Sequence, residues 1–352
     1  MHEARVLVVD DSAAMRALFA DILEQSKDVR VIGTAASADE ARTQIAELNP
    51  NVVTLDVEMP GMSGIEFLQE IMTTNPLPVV MLSSLTQAGT ETSLKAYELG
   101  AIECFPKPLK ATPEQFAKDV SKLGKIVLAA ANSNVKDKPR HHAAASAAAA
   151  PVAAAAEEVH FEWNGHIAAF SASLGGVDAL TTLLANYPEN CPPTVVLLQT
   201  EPALSQALIA RLDKDLKCSV QAATDGVAMQ QSVIYVSADL ERHTVFEAGQ
   251  PPKLRLVERD PIDGFRPSAN LLFGTIARAG IPALGAVLTG MGEDGAKGLK
   301  LMRDAGCRTF AQDRESAMVS EAPSAAIALN AAESELTLED LAKVVIKVCG
   351  AG

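Results

Sequence analysis

The chain has 352 residues, of which 48% are hydrophobic, and its formal net charge is −14 at pH 7. The length predicts about two domains, and the hydrophobic content is sufficient for ordinary globular cores, which excludes global disorder. Because the negative charge leaves no basic stripe to neutralise phosphates, nucleic acid is not expected as a partner.

Cysteine spacing and apolar runs indicate the compartment. The five cysteines are scattered and form no CxxC pair, which argues against both a disulfide framework and a zinc site. The chain begins without the features of a signal peptide, and no uninterrupted apolar run reaches the ~18 residues that a membrane span needs. We therefore predict a cytoplasmic protein with reduced thiols and no membrane insertion.

Residues 1–131 have the pattern of an α/β domain. Short apolar runs alternate with helical patterns, at 5–9, 29–32, 52–55 and 79–82 and, more briefly, near 104. This alternation predicts a parallel sheet with helices on both faces.

Polar side chains follow the predicted strands at their carboxyl ends, where open α/β sheets bind ligands: Asp10, Asp11, Asp56, Ser83 and Lys107. Three converging carboxylates repel each other and need a cation, and a donor set made only of oxygens favours Mg²⁺. Asp56 is then a carboxylate nucleophile for phosphoryl transfer. Lys107 would offset the transferred charge, and the Ser83 hydroxyl would bond to the new phosphate oxygen.

These residues resemble those of a response-regulator receiver domain across nearly all of residues 4–125. The resemblance includes Asp-Asp-Ser after the first strand, Asp56 within Leu-Asp-Val-Glu-Met-Pro-Gly, and the Lys107-Pro108 pair. It implies a doubly wound sheet of flavodoxin-like strand order 2-1-3-4-5 with phosphorylation at Asp56. It also implies that the backbone carbonyl of Glu58 completes the Mg²⁺ shell and that Phe105 repacks when Ser83 moves.

Residues 132–158 form a compositional break. The stretch passes from polar residues into an alanine-rich tract that is interrupted by Pro151. Since such a composition cannot build a core, we predict a linker between the first domain and a second domain at 159–352.

The second domain opens on a strand–turn–helix pattern. An apolar run at 167–170 reads as a buried strand, 177–184 reads as a helix, and Ser173 lies in the turn of small residues between them. A serine at a helix N-terminus can be a nucleophile, but turns of this kind also bind anions or only redirect the chain.

A second glycine-rich turn, residues 289–295, carries Asp294 and follows an apolar run at 283–288. Further strands are predicted at 195–198, 233–236, 243–246 and 308–311. If the two turns follow neighbouring parallel strands, Ser173 and Asp294 lie at the same edge of the sheet. Serine chemistry at neutral pH usually needs an imidazole base that a carboxylate orients, and Asp294 could be that carboxylate.

This domain resembles the catalytic domain of the chemotaxis protein-glutamate methylesterase (CheB) family over about residues 165–330. The motifs are Ser-Ala-Ser-Leu-Gly-Gly, Arg266-Pro267-Ser268, Thr-Gly-Met-Gly-Glu-Asp-Gly and Ala311-Gln312. The resemblance implies a Rossmann-like, doubly wound parallel sheet and an oxyanion hole that includes the Met291 backbone N–H. It also implies hydrolysis of glutamate γ-methyl esters on methyl-accepting chemotaxis receptors, sometimes with glutamine deamidation, and a CheA-type histidine kinase as phosphodonor.

The chain departs from the family pattern near the predicted site. Thr200 stands at the position of the family's catalytic histidine, Ser171 replaces a glycine, and Phe265 replaces a histidine. Threonine cannot accept a proton at neutral pH, so another group would have to act as base. His166, His243 and Glu201 are the candidates in the sequence.

Three hypotheses follow. The first is a phosphorylation-activated receptor methylesterase whose receiver domain covers the Ser173 edge until Asp56 is phosphorylated. The second is a catalytically degenerate homologue that acts as a phosphate sink or a receptor-binding module. The third is a hydrolase whose pocket, reshaped at Thr200, Glu201 and Phe265, takes a different ester or amide.

Overall fold

The computed structural model describes residues 2–83, 87–107, 113–135 and 161–351. The chain divides into two compact units, each with its own parallel sheet. The predicted linker lies outside the described residues from position 136 onward. Within the described ranges, every helix is too short or too polar to cross a bilayer.

The first unit is an α/β fold that, in the part of the chain the structure describes, has five strands and five helices in alternation: β1 (Ala4–Val9), α1 (Ala13–Glu24), β2 (Val29–Ala35), α2 (Ala38–Leu48), β3 (Val52–Asp56), α3 (Gly64–Thr74), β4 (Val79–Ser83), α4 (Gln87–Glu98), β5 (Glu103–Pro106) and α5 (Pro113–Ala131). The strands pair in parallel in the order β2-β1-β3-β4-β5. The predicted order of this sheet is therefore confirmed.

Serine caps begin the helices that follow the acidic strand ends. The Ser12 hydroxyl accepts a hydrogen bond from the Met15 N–H at the start of α1. Ser63 and Glu66 form a capping box at the start of α3. Because β3 is buried along its whole length, Asp56 at its end is held at a rigid position.

The second unit contains ten strands and six helices within the described residues: β6 (Ile167–Ala172), α6 (Gly176–Leu184), β7 (Thr194–Leu198), α7 (Pro202–Asp215), β8 (Ser219–Ala222), β9 (Val227–Ala228), β10 (Val233–Ser237), β11 (His243–Glu247), β12 (Lys253–Val257), α8 (Ala269–Ala279), β13 (Ala283–Val287), α9 (Ala296–Asp304), β14 (Arg308–Gln312), α10 (Glu321–Ala328), β15 (Ser334–Leu336) and α11 (Leu338–Cys349).

The main sheet of this unit is parallel and has the order β15-β14-β13-β6-β7-β10-β8. From β6 the chain forms β7 and then the edge strand β8, returns to insert β10 between them, and later restarts on the other side of β6 with β13. Ser171 pairs with Val287 across these two central strands. Since the winding reverses between β6 and β13, a crevice is expected at their carboxyl ends. Both predicted turns leave the sheet there.

A small second sheet departs from the predicted alternation. The strand predicted at 243–246 forms, but as β11 it pairs antiparallel with β12 in a three-stranded sheet of order β11-β12-β9. The Phe246 N–H donates to the Thr275 hydroxyl at 2.9 Å, which attaches this sheet to α8. A short apolar run does not reveal which sheet a strand joins, because pairing depends on distant segments.

Two glycines in the packed helices α8 and α9 provide a stability test. A Cβ at Gly298 would lie 2.6 Å from the Asn270 carbonyl oxygen, whereas a Cβ at Gly274 would make an ordinary 3.5 Å contact with Leu301. We expect Gly298→Ala to destabilise the second unit by about 1–3 kcal/mol, because backbone atoms must move. Gly274→Ala should stabilise it by about 0.5–1 kcal/mol, through lost chain entropy in the unfolded state.

Urea unfolding followed by the fluorescence of Trp163, the single tryptophan of the chain, reports on this unit. If the free energy of unfolding changed in the same direction in Gly298→Ala and Gly274→Ala, the close helix contact at Gly298 would be contradicted.

Candidate functional site

The predicted acidic residues of the first unit come together. Carboxylate oxygens of Asp10, Asp11 and Asp56 all lie within 4.8 Å of one another. The Lys107 ammonium lies between two of these groups, 2.9 Å from Asp10 Oδ2 and 2.7 Å from Asp56 Oδ1. The Glu58 N–H donates to Asp56 Oδ1 at 3.2 Å. The four strand-end groups therefore form one site.

Burial and charge act in opposite directions in this cluster. Burial raises the pKa of Asp56 above its usual value, although the Lys107 ammonium favours the charged form. Burial also disfavours the Lys107 ammonium, but its hydrogen bonds to Asp56 and Asp10 outweigh that cost and raise its pKa. The site is thus short of positive charge, since one ammonium faces three carboxylates.

The donor chemistry of the cluster fits a divalent cation. All three groups are carboxylates, and Mg²⁺ prefers oxygen ligands that lie about 2.0–2.1 Å from the ion. Two ligands of one such ion lie at most about 4.2 Å apart, so oxygens within 4.8 Å of one another need only small side-chain movements to share it. A bound divalent ion would also balance the negative charge that Lys107 leaves uncompensated.

The two predicted switch residues lie beside this cluster. Ser83 ends β4 and is 6% exposed, and its carbonyl accepts from the Lys107 N–H at 2.9 Å. Phe105 is 2% exposed on β5, opposite Leu82. The residues that directly follow Ser83 and Lys107 lie outside the described part of the chain.

In the second unit, Ser173 lies directly beyond β6, in the predicted turn. Gly175 has a φ of 74°, a conformation that favours glycine, and it redirects the chain into α6. The Ser173 N–H donates to the Thr289 carbonyl at 3.1 Å, and its hydroxyl accepts from the Met291 N–H at 3.0 Å. The two predicted turns therefore touch.

Asp294 lies in the same cavity and is buried. Its carboxylate accepts four hydrogen bonds, which come from the Gln199 amide, the Ser268 hydroxyl and the backbone N–H groups of Ala269 and Asn270, at 2.7–3.0 Å. Burial nevertheless raises its pKa, since desolvation outweighs these bonds. The carboxylate thus joins the end of β7 to the first turn of α8.

One cavity is lined by both predicted residues and by parts of their turns: Ser171, Ala172, Ser173, Leu197, Gln199, Ala269, Leu288, Thr289, Gly290, Met291, Asp294 and Ala322. Thr200 is one residue beyond Gln199 and is not among them. Among the described residues, the hydrogen bonds of Ser173 and Asp294 do not include the Thr200 side chain.

The structure excludes two candidate bases. His166 precedes β6, so the six residues of that strand separate it from Ser173, a span of about 20 Å. His243 is fully buried; its Nδ1 accepts from the Ser268 N–H at 3.1 Å, and its Nε2 lies 3.1 Å from the Asp260 carbonyl. Because an N–H can only donate, Nδ1 is the acceptor in the bond to Ser268, and Nε2 faces the Asp260 carbonyl. The ring positions Ser268 and is not free to serve Ser173.

The third candidate base, Glu201, immediately precedes α7 and is half-buried. Its side chain does not line the cavity.

Ser171 and Phe265, which are predicted to replace family residues, both lie at the site. The Ser171 hydroxyl is buried in the cavity wall and has no hydrogen-bond partner among the described residues. A buried hydroxyl of this kind costs about 1–3 kcal/mol, so the cavity is suited to a polar guest. The Phe265 ring packs on the turn at 289–295, since a Cβ at Gly292 would lie 2.8 Å from that ring.

Sequence reasoning missed the residues that complete the site. Gln199 and Asn270 bind Asp294, but they lie far from it in sequence. Glu321, the first residue of α10, accepts a hydrogen bond from the Gly292 N–H at 2.8 Å. An acid in the first turn of a helix is common, so no local signal distinguishes Glu321.

Comparison with known proteins finds a family for each unit. The family model for the CheB methylesterase matches residues 168–345, and the response regulator receiver domain model matches residues 6–118. The chain belongs to the CheB methylesterase family.

Relatives of this family match the whole chain. A protein-glutamate methylesterase/protein-glutamine glutaminase 1 of Caulobacter vibrioides is 42% identical, and the match covers 100% of this chain and 99% of the relative. A protein-glutamate methylesterase/protein-glutamine glutaminase of Agrobacterium fabrum is also 42% identical, with 98% and 96% covered.

A solved structure supports the fold of the second unit. The CheB methylesterase catalytic domain of Thermotoga maritima matches with a TM-score of 0.50 at 26% identity, and the match covers 52% of this chain and 98% of that domain. This CheB-family chain therefore combines a receiver domain with a methylesterase domain.

The four donors to Asp294 predict a structural role for its carboxylate. We expect Asp294→Ala to destabilise the second unit by about 2–3 kcal/mol, because it leaves two backbone N–H groups of α8 and one of the two Gln199 amide hydrogens without an acceptor; the other stays on the Pro267 carbonyl. The neighbouring exposed acid offers a matched control, and Glu293→Ala should change stability by less than about 0.5 kcal/mol. Urea unfolding monitored at Trp163 measures both. Equal stability of the two variants would contradict the role of Asp294.

Proposed function

We propose that this chain hydrolyses glutamate γ-methyl esters on methyl-accepting chemotaxis receptors, with Ser173 as the nucleophile. The observation that carries the proposal is the contact between the two turns, in which the Ser173 hydroxyl lies 3.0 Å from the Met291 nitrogen in a cavity that Asp294 also lines. The family membership and the printed activities of its relatives support the substrate class.

The chemistry follows from that contact. When the Ser173 oxygen attacks the ester carbon, negative charge develops on the former carbonyl oxygen. The Met291 N–H, which donates to the Ser173 hydroxyl at 3.0 Å, would then donate to this oxygen. Asp294 holds its own turn against the start of α8 and the end of β7, both of which line the cavity. The same steps apply to a glutamine side chain, with ammonia in place of methanol as the leaving group.

The receiver domain would control this reaction. Asp56 is the proposed phosphate acceptor, and a CheA-type histidine kinase is the proposed donor. Asp10, Asp11, Asp56 and the carbonyl of Glu58 would hold Mg²⁺, which when bound neutralises charge on the transferred phosphoryl group. Lys107 would pair with the phosphoryl oxygens. The Ser83 hydroxyl would bond to one of these oxygens, and Phe105 would repack when Ser83 moves.

Methanol release from methylated receptor tests this proposal. We expect addition of a small-molecule phosphodonor with Mg²⁺ to raise the rate at least about tenfold, because the active population grows from a minor to a major state. Asp56→Asn and removal of Mg²⁺ by chelation should each abolish the rise while leaving the basal rate unchanged. Equal rates with and without phosphodonor would contradict phosphorylation control.

A second candidate function is a catalytically degenerate homologue that binds receptor or serves as a phosphate sink. Two observations favour it: Thr200 offers no base, and four donors already surround the Asp294 carboxylate. An imidazole would have to compete with those donors for its orienting carboxylate.

Labelling with a fluorophosphonate probe separates the two functions. An active esterase should be labelled at Ser173 and should release methanol, whereas Ser173→Ala should do neither. If the chain is degenerate, the parent should stay near background and Thr200→His should gain activity by about 10²-fold or more. A parent that already reacts, and that gains little from Thr200→His, contains another base.

A further inference from the structure

Glu321 brings a carboxylate to the turn that contacts Ser173. It is the first residue of α10, it is half-buried, and its Oε2 accepts from the Gly292 N–H at 2.8 Å. The next residue, Ala322, donates its N–H to the Gly290 carbonyl at 3.0 Å and also lines the cavity. The first turn of α10 is therefore fixed on the turn at 289–295.

The hydroxyl and the carboxylate occupy consecutive backbone amides. The Met291 N–H donates to Ser173 Oγ, and the following N–H, that of Gly292, donates to Glu321 Oε2. Gly292 has a φ of 81°, and successive amides around such a residue form a concave anion-binding surface. Ser173 Oγ and Glu321 Oε2 thus accept from adjacent amides of one small surface, and a general base must reach the serine proton directly or through one water.

Other acids and bases are poorly placed for this role. Asp294 lines the cavity, but four donors already occupy its carboxylate. His166 lies at the opposite end of β6, and both ring nitrogens of His243 are engaged.

We propose that Glu321 is the general base for Ser173, in place of the imidazole that Thr200 cannot supply. This inference rests on the proposed function. In the first step the Ser173 oxygen bonds to the ester carbon and its proton passes to the Glu321 carboxylate. The C–O bond to the methoxy group then breaks, and that proton leaves with it as methanol. Water next attacks the acyl-serine and gives a proton to Glu321, which returns it to Ser173 as the glutamate leaves.

Charged groups around Glu321 must be considered in any pH profile. Asp294 is buried in the same cavity, and the exposed Glu293 follows Gly292. From the neighbouring segment, Arg314 donates to the Ser324 hydroxyl at 3.5 Å, one turn along α10 from Glu321. The variants below keep Asp294, Glu293 and Arg314, so a change in the pH dependence of the rate reports on Glu321.

The test compares Glu321→Gln with the full-length parent. Glutamine keeps an oxygen acceptor for the Gly292 N–H but cannot take up a proton, so the turn should stay intact. We expect methanol release and fluorophosphonate labelling of Ser173 to fall about 10²- to 10⁴-fold, and the rise of the rate with pH on the acidic side to disappear. Glu321→Asp should restore part of the rate. Glu315→Gln removes an exposed carboxylate six residues earlier and should leave rate and profile unchanged.

Three results would overturn the inference. A Glu321→Gln variant with the parent's rate and pH profile would reduce Glu321 to a structural acceptor, while leaving the esterase function intact. A variant that gains activity would mean that the carboxylate blocks the site. A parent that neither reacts with the probe nor releases methanol, with or without phosphodonor, would overturn both this inference and the proposed function.

Discussion

The parallel pairing of β6 with β13 is the constraint on which the second unit depends. These strands are adjacent in the sheet although more than a hundred residues separate them in the chain. Because the winding of the sheet reverses between them, the turns beyond both strands meet at one edge. The contact between Ser173 and the Met291 N–H follows directly from this pairing.

The Asp294 carboxylate stabilises the arrangement that the sheet creates. Burial makes its charge costly, as the raised pKa indicates, and four donors from two segments offset that cost. His243 supports the same network, since it accepts from the Ser268 N–H. A carboxylate engaged in this way organises the backbone well, but it has little capacity left to orient a base. This is why the origin of the base is the central chemical question for this chain.

The receiver unit uses a related geometry with different chemistry. Its acids also lie beyond the carboxyl ends of parallel strands, but they form a cluster that is deficient in positive charge. Such a cluster is suited to a cation and a phosphoryl group, whereas the second unit presents a hydroxyl and backbone N–H groups. One type of sheet edge thus presents two kinds of site, and the side chains after each strand decide which.

The sequence by itself determined the alternation of strands and helices, both strand–turn–helix motifs and the acidic residues of the receiver, because these features depend on local patterns. The resemblance to the family also predicts that Thr200 stands where the family has a base. Only the tertiary structure decided that β11 joins a separate antiparallel sheet, that His243 is fully engaged, and that Gln199 and Glu321 reach the site. These contacts join segments distant in the chain, and no local pattern specifies which distant side chains will meet.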